Sequence, residues 1–309
     1  MGEQVCDVTG LQPGDSAQAQ EAARQRLLAG GVVAFPTETV YGLGALATHR
    51  TAVEQVYRLK NRPLSKPLTL HGATVEDLLP FVEEETRFLK LAQAFWPGPL
   101  TLIGKRRLGT LLEETLFFAA ETIALRVVDH PIAAALMRSL GAPLLAPSAN
   151  LSGDLSSTTA EDVAATFPGI LVLDGGPTRL GLESTILDLS QREARLLRLG
   201  VITSDTLEAC LGQPIFPPAA PQKGRSLTLR LNAEEPYPEE AFLAFGSCPT
   251  SPSCVAMANL SPASDLEEAG RNLFPLLHQL ASFAHSIAVA QIPSHGLGSA
   301  INERLRKFL

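Results

Sequence analysis

Lys60, Arg62 and Lys66 place three cations within seven residues, and Pro63 and Pro67 restrict the backbone that carries them. That spacing suits a polyanion such as a nucleotide triphosphate better than a single carboxylate; a solvated basic turn is the competing reading. Upstream, the segment GGVVAFPTETVYGLGAL supplies a second set of groups. Its apolar run Val32, Val33, Ala34, Phe35 is β-prone and ends at Pro36, so Thr37, Glu38, Thr39 and Tyr41 project from a loop at a strand end. Loops at strand ends are where α/β proteins hold ligands.

A similar pattern recurs in LLAPSANLSG, where an apolar strand ends at proline and releases Ser148 and Asn150. Short hydrogen-bonding side chains there can line a phosphate or a ribose; an ordinary Ser/Asn turn is the alternative. Arg126 lies in TIALRVV, a strand with apolar neighbours, and a guanidinium in such surroundings needs an anion to offset its desolvation. A substrate carboxylate and an internal Asp or Glu are equally good candidates for that anion. The two-residue period of a strand puts Thr122 on the same face as Arg126. Ser184 in GLESTILDL and Arg198 in ARLLRLG fall at later strand positions and, alone, read as structural.

These residues need elements to position them. Helices are expected over Ala19 to Ala29, Thr51 to Leu59, Pro131 to Leu140 and Ala160 to Thr166. Strands are expected at Val32 to Phe35, Leu68 to Leu70, Leu100 to Gly104, Ile123 to Val127, Leu144 to Ala146, Ile170 to Leu173 and Ser184 to Leu189. The alternation predicts an α/β layered domain over residues 1–212. The run QPIFPPAAP, with four prolines in nine residues, opens an extended linker over 213–237. A smaller α/β unit follows over 238–309, with strands at Ala241 to Gly246, Ser253 to Met257 and Ile287 to Ile292 and helices over Asp265 to Phe283 and from near Gly298. It carries no nucleophile elbow, P-loop or dinucleotide fingerprint, and His278, His285 and His295 read as structural or surface residues.

Composition narrows the classes. With 309 residues, 45% of them hydrophobic and 18% charged, the chain has enough apolar material for two cores, and no apolar run approaches a membrane span. The start MGEQVCDVTG lacks a basic-then-apolar leader, which points to the cytoplasm. Cys6, Cys210, Cys248 and Cys254 have neither paired spacing nor adjacent histidines, so neither a zinc site nor a disulfide framework is expected. A net charge of −7 argues against a broad nucleic-acid footprint, leaving at most a weak, local RNA contact.

Taken in order, FPTETVYGLG, KNRP, SKPL with His71, ETIALRV, PSAN-SG, LESTILDL and RLG resemble the YrdC/Sua5 family, the L-threonylcarbamoyladenylate synthases of tRNA modification. The tail, with SPASDLEEAGRNLF and HGLGSAINERLRKFL, is similar to the C-terminal domain of the long Sua5 type. The resemblance implies a three-layer YrdC-like domain with a twisted mixed sheet and a small Rossmann-like Sua5 domain. It implies that L-threonine, bicarbonate or CO2, and ATP become threonylcarbamoyl-AMP and diphosphate, for transfer to tRNA by a downstream threonylcarbamoyl transferase complex.

By the same resemblance, Lys60, Arg62, Lys66, Thr122, Ser148, Asn150, Ser156 and Arg198 would surround ATP, with Lys60 and Arg62 catalytic. Thr37 or Thr39, His71, Arg126, Ala146 and Ser184 would face threonine. Mg2+ would travel with ATP, and no protein metal cage is implied. Threonine's amine can attack CO2 and the carbamate can attack the α-phosphate, so positioning and neutralising cations suffice without a protein nucleophile. One motif departs: relatives of the long type carry His-Tyr-Ala-Pro in the linker over the active site, whereas here Pro221 leads into QKGRSLTLRLN. Either another segment closes the pocket or a stretch present in relatives has been lost from this chain, so the lid role of the linker is not carried over and weaker nucleotide retention is expected. Two rivals are disfavoured: an RNA-binding module by the acidic balance, and the related domain of hydrogenase maturation by the lack of zinc-finger cysteines.

Overall fold

Val32 and Ala34 point into one apolar cluster and Val33 and Phe35 into another, so both faces of this strand are covered. That arrangement sets the architecture of the first domain. The structure, a computed structural model, describes residues 10–83, 85–110, 112, 121–218, 227–248 and 253–308. Cys6 and residues 219–226 of the expected linker lie outside the described residues.

The strands of the first domain are β1 (Gly10–Pro13), β2 (Val32–Phe35), β3 (Gly42–Leu46), β4 (Thr69–Gly72), β5 (Leu100–Lys105), β6 (Thr122–Val127), β7 (Leu144–Ala146), β8 (Leu171–Asp174), β9 (Thr185–Asp188) and β10 (Arg195–Arg198). They form one mixed sheet in the order β1-β8-β2-β3-β7-β4-β6-β5-β9-β10. On one face pack α1 (Ala17–Leu28) and α4 (Pro131–Leu140), through Ala19, Ala23, Leu27, Leu136 and Met137. On the other pack α2 (Arg50–Leu59), α3 (Thr86–Phe95), α5 (Ala160–Thr166) and α6 (Ser204–Leu211). The three-layer α/β expectation holds.

Local chemistry fixes the helix ends near the site. At the end of α2, Asn61 adopts φ +48°, a left-handed turn that an Asn tolerates. Lys60 thus ends the helix with its side chain buried, while Arg62 leaves on the next segment. α5 starts with a capping box in which Thr159 and Asp162 each satisfy the other's backbone amide. Beyond the expected elements, β1, β3, α3 and α6 also form.

The second domain has a four-stranded parallel sheet in the order β11 (Thr228–Leu231), β14 (Ser286–Val289), β12 (Ala241–Ala244), β13 (Ala256–Asn259). α7 (Leu266–Ala281) and α8 (Leu297–Arg306) cover it. Two sequence expectations shift. Residues 228–231, inside the stretch read as linker, are the edge strand β11, and the strand expected at 253–257 lies at Ala256–Asn259. The start of the Pro-rich run also folds back on the first domain: Leu196 N–H donates to Phe216 O at 2.8 Å, and the Arg195 guanidinium stacks 5.4 Å from the Phe216 ring.

One apolar cluster crosses the domain boundary. Val40, Leu155 and Leu182 of the first domain pack with Leu273, Phe274, Leu277, Ile301, Leu305 and Phe308 of the second. α7 and α8 are therefore seated on the first domain by buried apolar area, the least directional and largest of the available forces.

Candidate functional site

A cavity of about 680 Å³ opens where the ends of β2, β4, β6, β7, β9 and β10 meet α2 and the C-terminal helix α8. Seven cationic side chains line it, Lys60, Arg62, Lys66, Arg126, Arg198, Arg304 and Lys307, against three carboxylates, Asp154, Glu183 and Glu303. A chain of net charge −7 has thus gathered an excess of positive charge in one place. That is the signature of an anion site.

At one end, Arg126 on β6 is buried. Its Nη2 lies 2.8 Å from Glu38 Oε1 and donates to Thr39 Oγ1 at 2.9 Å, and its Nε donates to Gly98 O at 3.2 Å. Of the two partners that the sequence left open, the internal glutamate is present. Among the described residues Nη1 has no partner, and the side chain faces the cavity. The Thr37 hydroxyl donates to Val40 O at 2.6 Å, and Thr39 Oγ1 lies 2.9 Å from it. With its single proton on Val40 O, Thr37 accepts from Thr39, which in turn accepts from Arg126. Thr37 is therefore the cavity residue, and Thr39 lies behind it, orienting the guanidinium.

His71 extends from β4, which pairs with β6, and its register partner is Arg126 itself. Burial, with Arg126 nearby, pushes its pKa down to about 3 although a bond to Thr69 O opposes the shift. The ring is neutral. Nδ1 lies 3.1 Å from Thr69 O, a carbonyl that can only accept, so Nδ1 carries the proton and Nε2 is left as an acceptor. Phe35 holds the ring edge-on, with centroids 6.4 Å apart.

At the other end, Lys60 is buried and donates to Ser148 O at 2.5 Å and to Asn150 O, leaving one N–H for the cavity. Burial and then the Arg62 charge push its pKa down to about 7, despite Glu183 and Asp154. Arg62 donates to Lys66 O at 3.0 Å and Pro67 O at 2.8 Å, which ties the basic loop into a fixed turn; burial lowers its pKa too. The Lys66 side chain is exposed at the rim. Ser148 Oγ donates to Asn150 Oδ1 at 2.5 Å, and Asn150 Nδ2 donates to Leu151 O and Asp154 O, so this turn is braced from within.

Glu183 joins the two ends. Burial alone would raise its pKa, but Arg198, Arg304 and Lys307, with the Ser156 hydroxyl donating at 3.1 Å, hold it well below the usual carboxylate range. Arg198 Nη1 lies 3.5 Å from Glu183 Oε2, and Arg304 Nε lies 3.0 Å from the same oxygen. Arg198 also donates from Nη2 to Ser184 Oγ at 2.8 Å and from Nε to Ser184 O at 2.9 Å; burial lowers its pKa to about 10. Gly200 makes this packing possible. A Cβ there would sit 2.4 Å from Glu183 O, so the RLG glycine lets two backbones touch.

Most sequence candidates converge: Thr37, Lys60, Arg62, Lys66, His71, Arg126, Ala146, Ser148, Asn150, Ser156, Ser184 and Arg198 all line the cavity. Two do not. Thr39 sits behind Arg126, and Thr122, at the start of β6 opposite Lys105, shares a face with the lining residues Ala124 and Arg126 but stays outside the wall. Sequence reasoning missed Thr101, buried and 2.8 Å from Ser184 Oγ, and it missed Glu183, the α8 residues Glu303 and Arg304, and Lys307, which caps α8. The one sequence signal for the last group was the spacing of Arg304 and Lys307, which share a helix face.

The fold and the cavity define a class: a two-domain α/β protein with a polycationic pocket that continues into a smaller end holding Arg126 and a neutral histidine. Comparison with known proteins narrows it. The family model Sua5_yciO_yrdC, described as telomere recombination, matches residues 25–200, and Sua5_C, described as the threonylcarbamoyl-AMP synthase C-terminal domain, matches residues 203–307. A threonylcarbamoyl-AMP synthase of Bacillus subtilis (strain 168) is 45% identical over 67% of this chain and 60% of its own length. One from Pyrococcus abyssi (strain GE5 / Orsay) is 33% identical over 90% of both chains. The crystal structure of P. abyssi Sua5 complexed with L-threonine superposes with TM-score 0.83 at 30% identity, covering 96% of each chain. The chain belongs to the Sua5 family of threonylcarbamoyl-AMP synthases, in its long, two-domain form.

Proposed function

We propose that this protein is a nucleotidyltransferase that condenses L-threonine, bicarbonate or CO2, and ATP into L-threonylcarbamoyl-AMP with release of diphosphate. The observation that carries the reading is the continuity of the cavity: one chamber joins the Arg126–His71 end to the Lys60–Arg62–Arg198 end. A small zwitterion at the first and a phosphate chain at the second would meet in the middle.

At the small end, Arg126 Nη1 is available for the threonine carboxylate, and His71 Nε2 can accept from its hydroxyl or amine. Thr37, Ala146 and Ser184 complete that wall. Threonine's nitrogen attacks CO2 and loses a proton, giving a carbamate. A carbamate oxygen then attacks the α-phosphorus, and the bond to the diphosphate oxygen breaks. Lys60, Arg62, Lys66 and Arg198 would neutralise charge on the phosphoryl and leaving oxygens, with Ser148, Asn150 and Ser156 orienting the nucleotide.

Mg2+ fits this site only as a companion of ATP. No group of three or more metal-ligating side chains occurs among the described residues, and the Glu183 and Glu303 carboxylates are already engaged by arginines. When bound, the ion would add charge neutralisation on the phosphates.

No helix among the described residues is long and apolar enough to cross a membrane. We place the activity in the cytoplasm, where ATP, bicarbonate and tRNA are met together, with the product passed to a threonylcarbamoyl transferase complex and at most weak contact between tRNA and this chain. The test is diphosphate release by the purified protein given ATP, Mg2+, bicarbonate and L-threonine. Release that depends on both threonine and bicarbonate supports the reading; none above a threonine-free control overturns it.

A further inference from the structure

The cavity is not built by the first domain alone. α8 of the second domain and its C-cap turn Glu303, Arg304 and Lys307 into its wall, and Phe274 of α7 and Phe308 add apolar lining. The position of α8 is fixed by the apolar cluster it shares with Val40, Leu155 and Leu182. α7 also makes close contacts: His278 Nε2 lies 3.2 Å from Ser156 O, and a Cβ on Gly181 would come within 2.5 Å of Arg271 O.

Arg304 is buried and only partly satisfied. Its Nε pairs with Glu183 and its Nη2 donates to Leu199 O at 2.6 Å, but Nη1 has no hydrogen bond and lies 3.5 Å from Glu303 Oε1. Glu303 itself accepts from Leu199 N–H through Oε2 at 3.2 Å. One helical turn on, the Lys307 ammonium has no hydrogen bond or ion pair among the described residues. Burial chiefly, with Arg304 and Arg198 nearby, depresses its pKa to about 8 although Glu183 and Glu303 pull the other way. A desolvated cation kept beside other cations is costly unless an anion offsets it.

We propose that Arg304 and Lys307 bind the phosphate chain of the nucleotide, so that the second domain supplies one wall of the active site. The inference rests on the ATP reading above and extends it to residues beyond the first domain. Guanidinium and ammonium side by side match a chain of phosphoryl oxygens, and the same pair would hold the diphosphate after it leaves.

The experiment compares the full-length chain with Lys307→Met and Lys307→Arg, measuring KM for ATP, KM for threonine and inhibition by inorganic diphosphate. Lys307→Met is expected to raise the ATP KM and the diphosphate inhibition constant roughly tenfold each, to leave the threonine KM within about twofold, and Lys307→Arg to recover most of the loss. Lys307→Gln gives the same readout if the methionine variant folds poorly. Wild-type protein with no threonine-dependent diphosphate release overturns the ATP reading itself. An active wild type with an unchanged ATP KM in both the methionine and glutamine variants overturns this inference alone, as does an equal rise in both KM values.

Discussion

Two buried arginines line the cavity, and each faces a glutamate. Arg126 and Glu38 lie in one domain, 2.8 Å apart and almost without exposure, on a strand and a loop that the same sheet holds. Arg304 and Glu183 are 3.0 Å apart across the domain boundary, and Glu183 is shared with Arg198 and Ser156. The first pair is a fixed fitting with one donor left over. The second is a junction at which a substrate-facing arginine, a strand end and a helix of another domain meet on one carboxylate. The threonine end should therefore be rigid and locally determined, and the nucleotide end should depend on how the domains are seated.

The largest effect is expected at the first pair. Arg126→Ala leaves Glu38 buried and uncompensated, costing about 3–5 kcal/mol in denaturant unfolding. Adding Glu38→Gln should recover most of that stability. Threonine affinity should stay lost in both, and the ATP requirement should change far less; equal effects on both substrates would make Arg126 structural only.

Next in size is pH. Lys60, depressed to about 7 in the free protein, would be raised by bound phosphates, so it is protonated in both states below pH 7 and must take up a proton on binding above it. ATP affinity should then fall by up to about tenfold per unit above pH 7, with Lys307, at about 8, steepening the loss above pH 8. Calorimetry in buffers of different ionisation enthalpy reads the proton uptake directly, and Lys60→Met should abolish the larger part. Threonine affinity, resting on Arg126 and a histidine already neutral, should stay flat from pH 7 to pH 9.

A smaller effect is expected at the shared junction. Arg304→Met leaves Glu183 with Arg198 and Ser156, so the cost in stability is about 1–3 kcal/mol, with the ATP KM raised and the threonine KM nearly unchanged. The smallest is Thr39→Val, which removes one hydroxyl from behind Arg126. It should cost about 1 kcal/mol and raise the threonine KM several-fold by loosening the guanidinium, with no effect on ATP.

How far the sequence reaches follows the same division. Lys60, Arg62, Ser148 and Asn150 were legible because strand ends, prolines and short spacings act locally. β3 was not, because Gly42–Leu46 is buried throughout and shows no alternation. Glu38 was visible as a loop residue, yet nothing in the chain ties it to Arg126, 88 residues away, until β2, β4 and β6 share a sheet. Arg304 and Lys307 fall at the end of the helix expected from near Gly298 and carried no site reading of their own. Their role depends on apolar packing between domains, and that packing has no local pattern.

The central claim is that one cavity joins the carbamate of threonine to the α-phosphate of ATP. Exchange of labelled diphosphate into ATP, catalysed by the full-length chain, tests it most directly because only a reversible adenylation on this enzyme moves the label. The account predicts exchange when threonine and bicarbonate are both present, and none when either is omitted. Exchange without threonine, or no exchange in the complete mixture while ATP is bound, would contradict it.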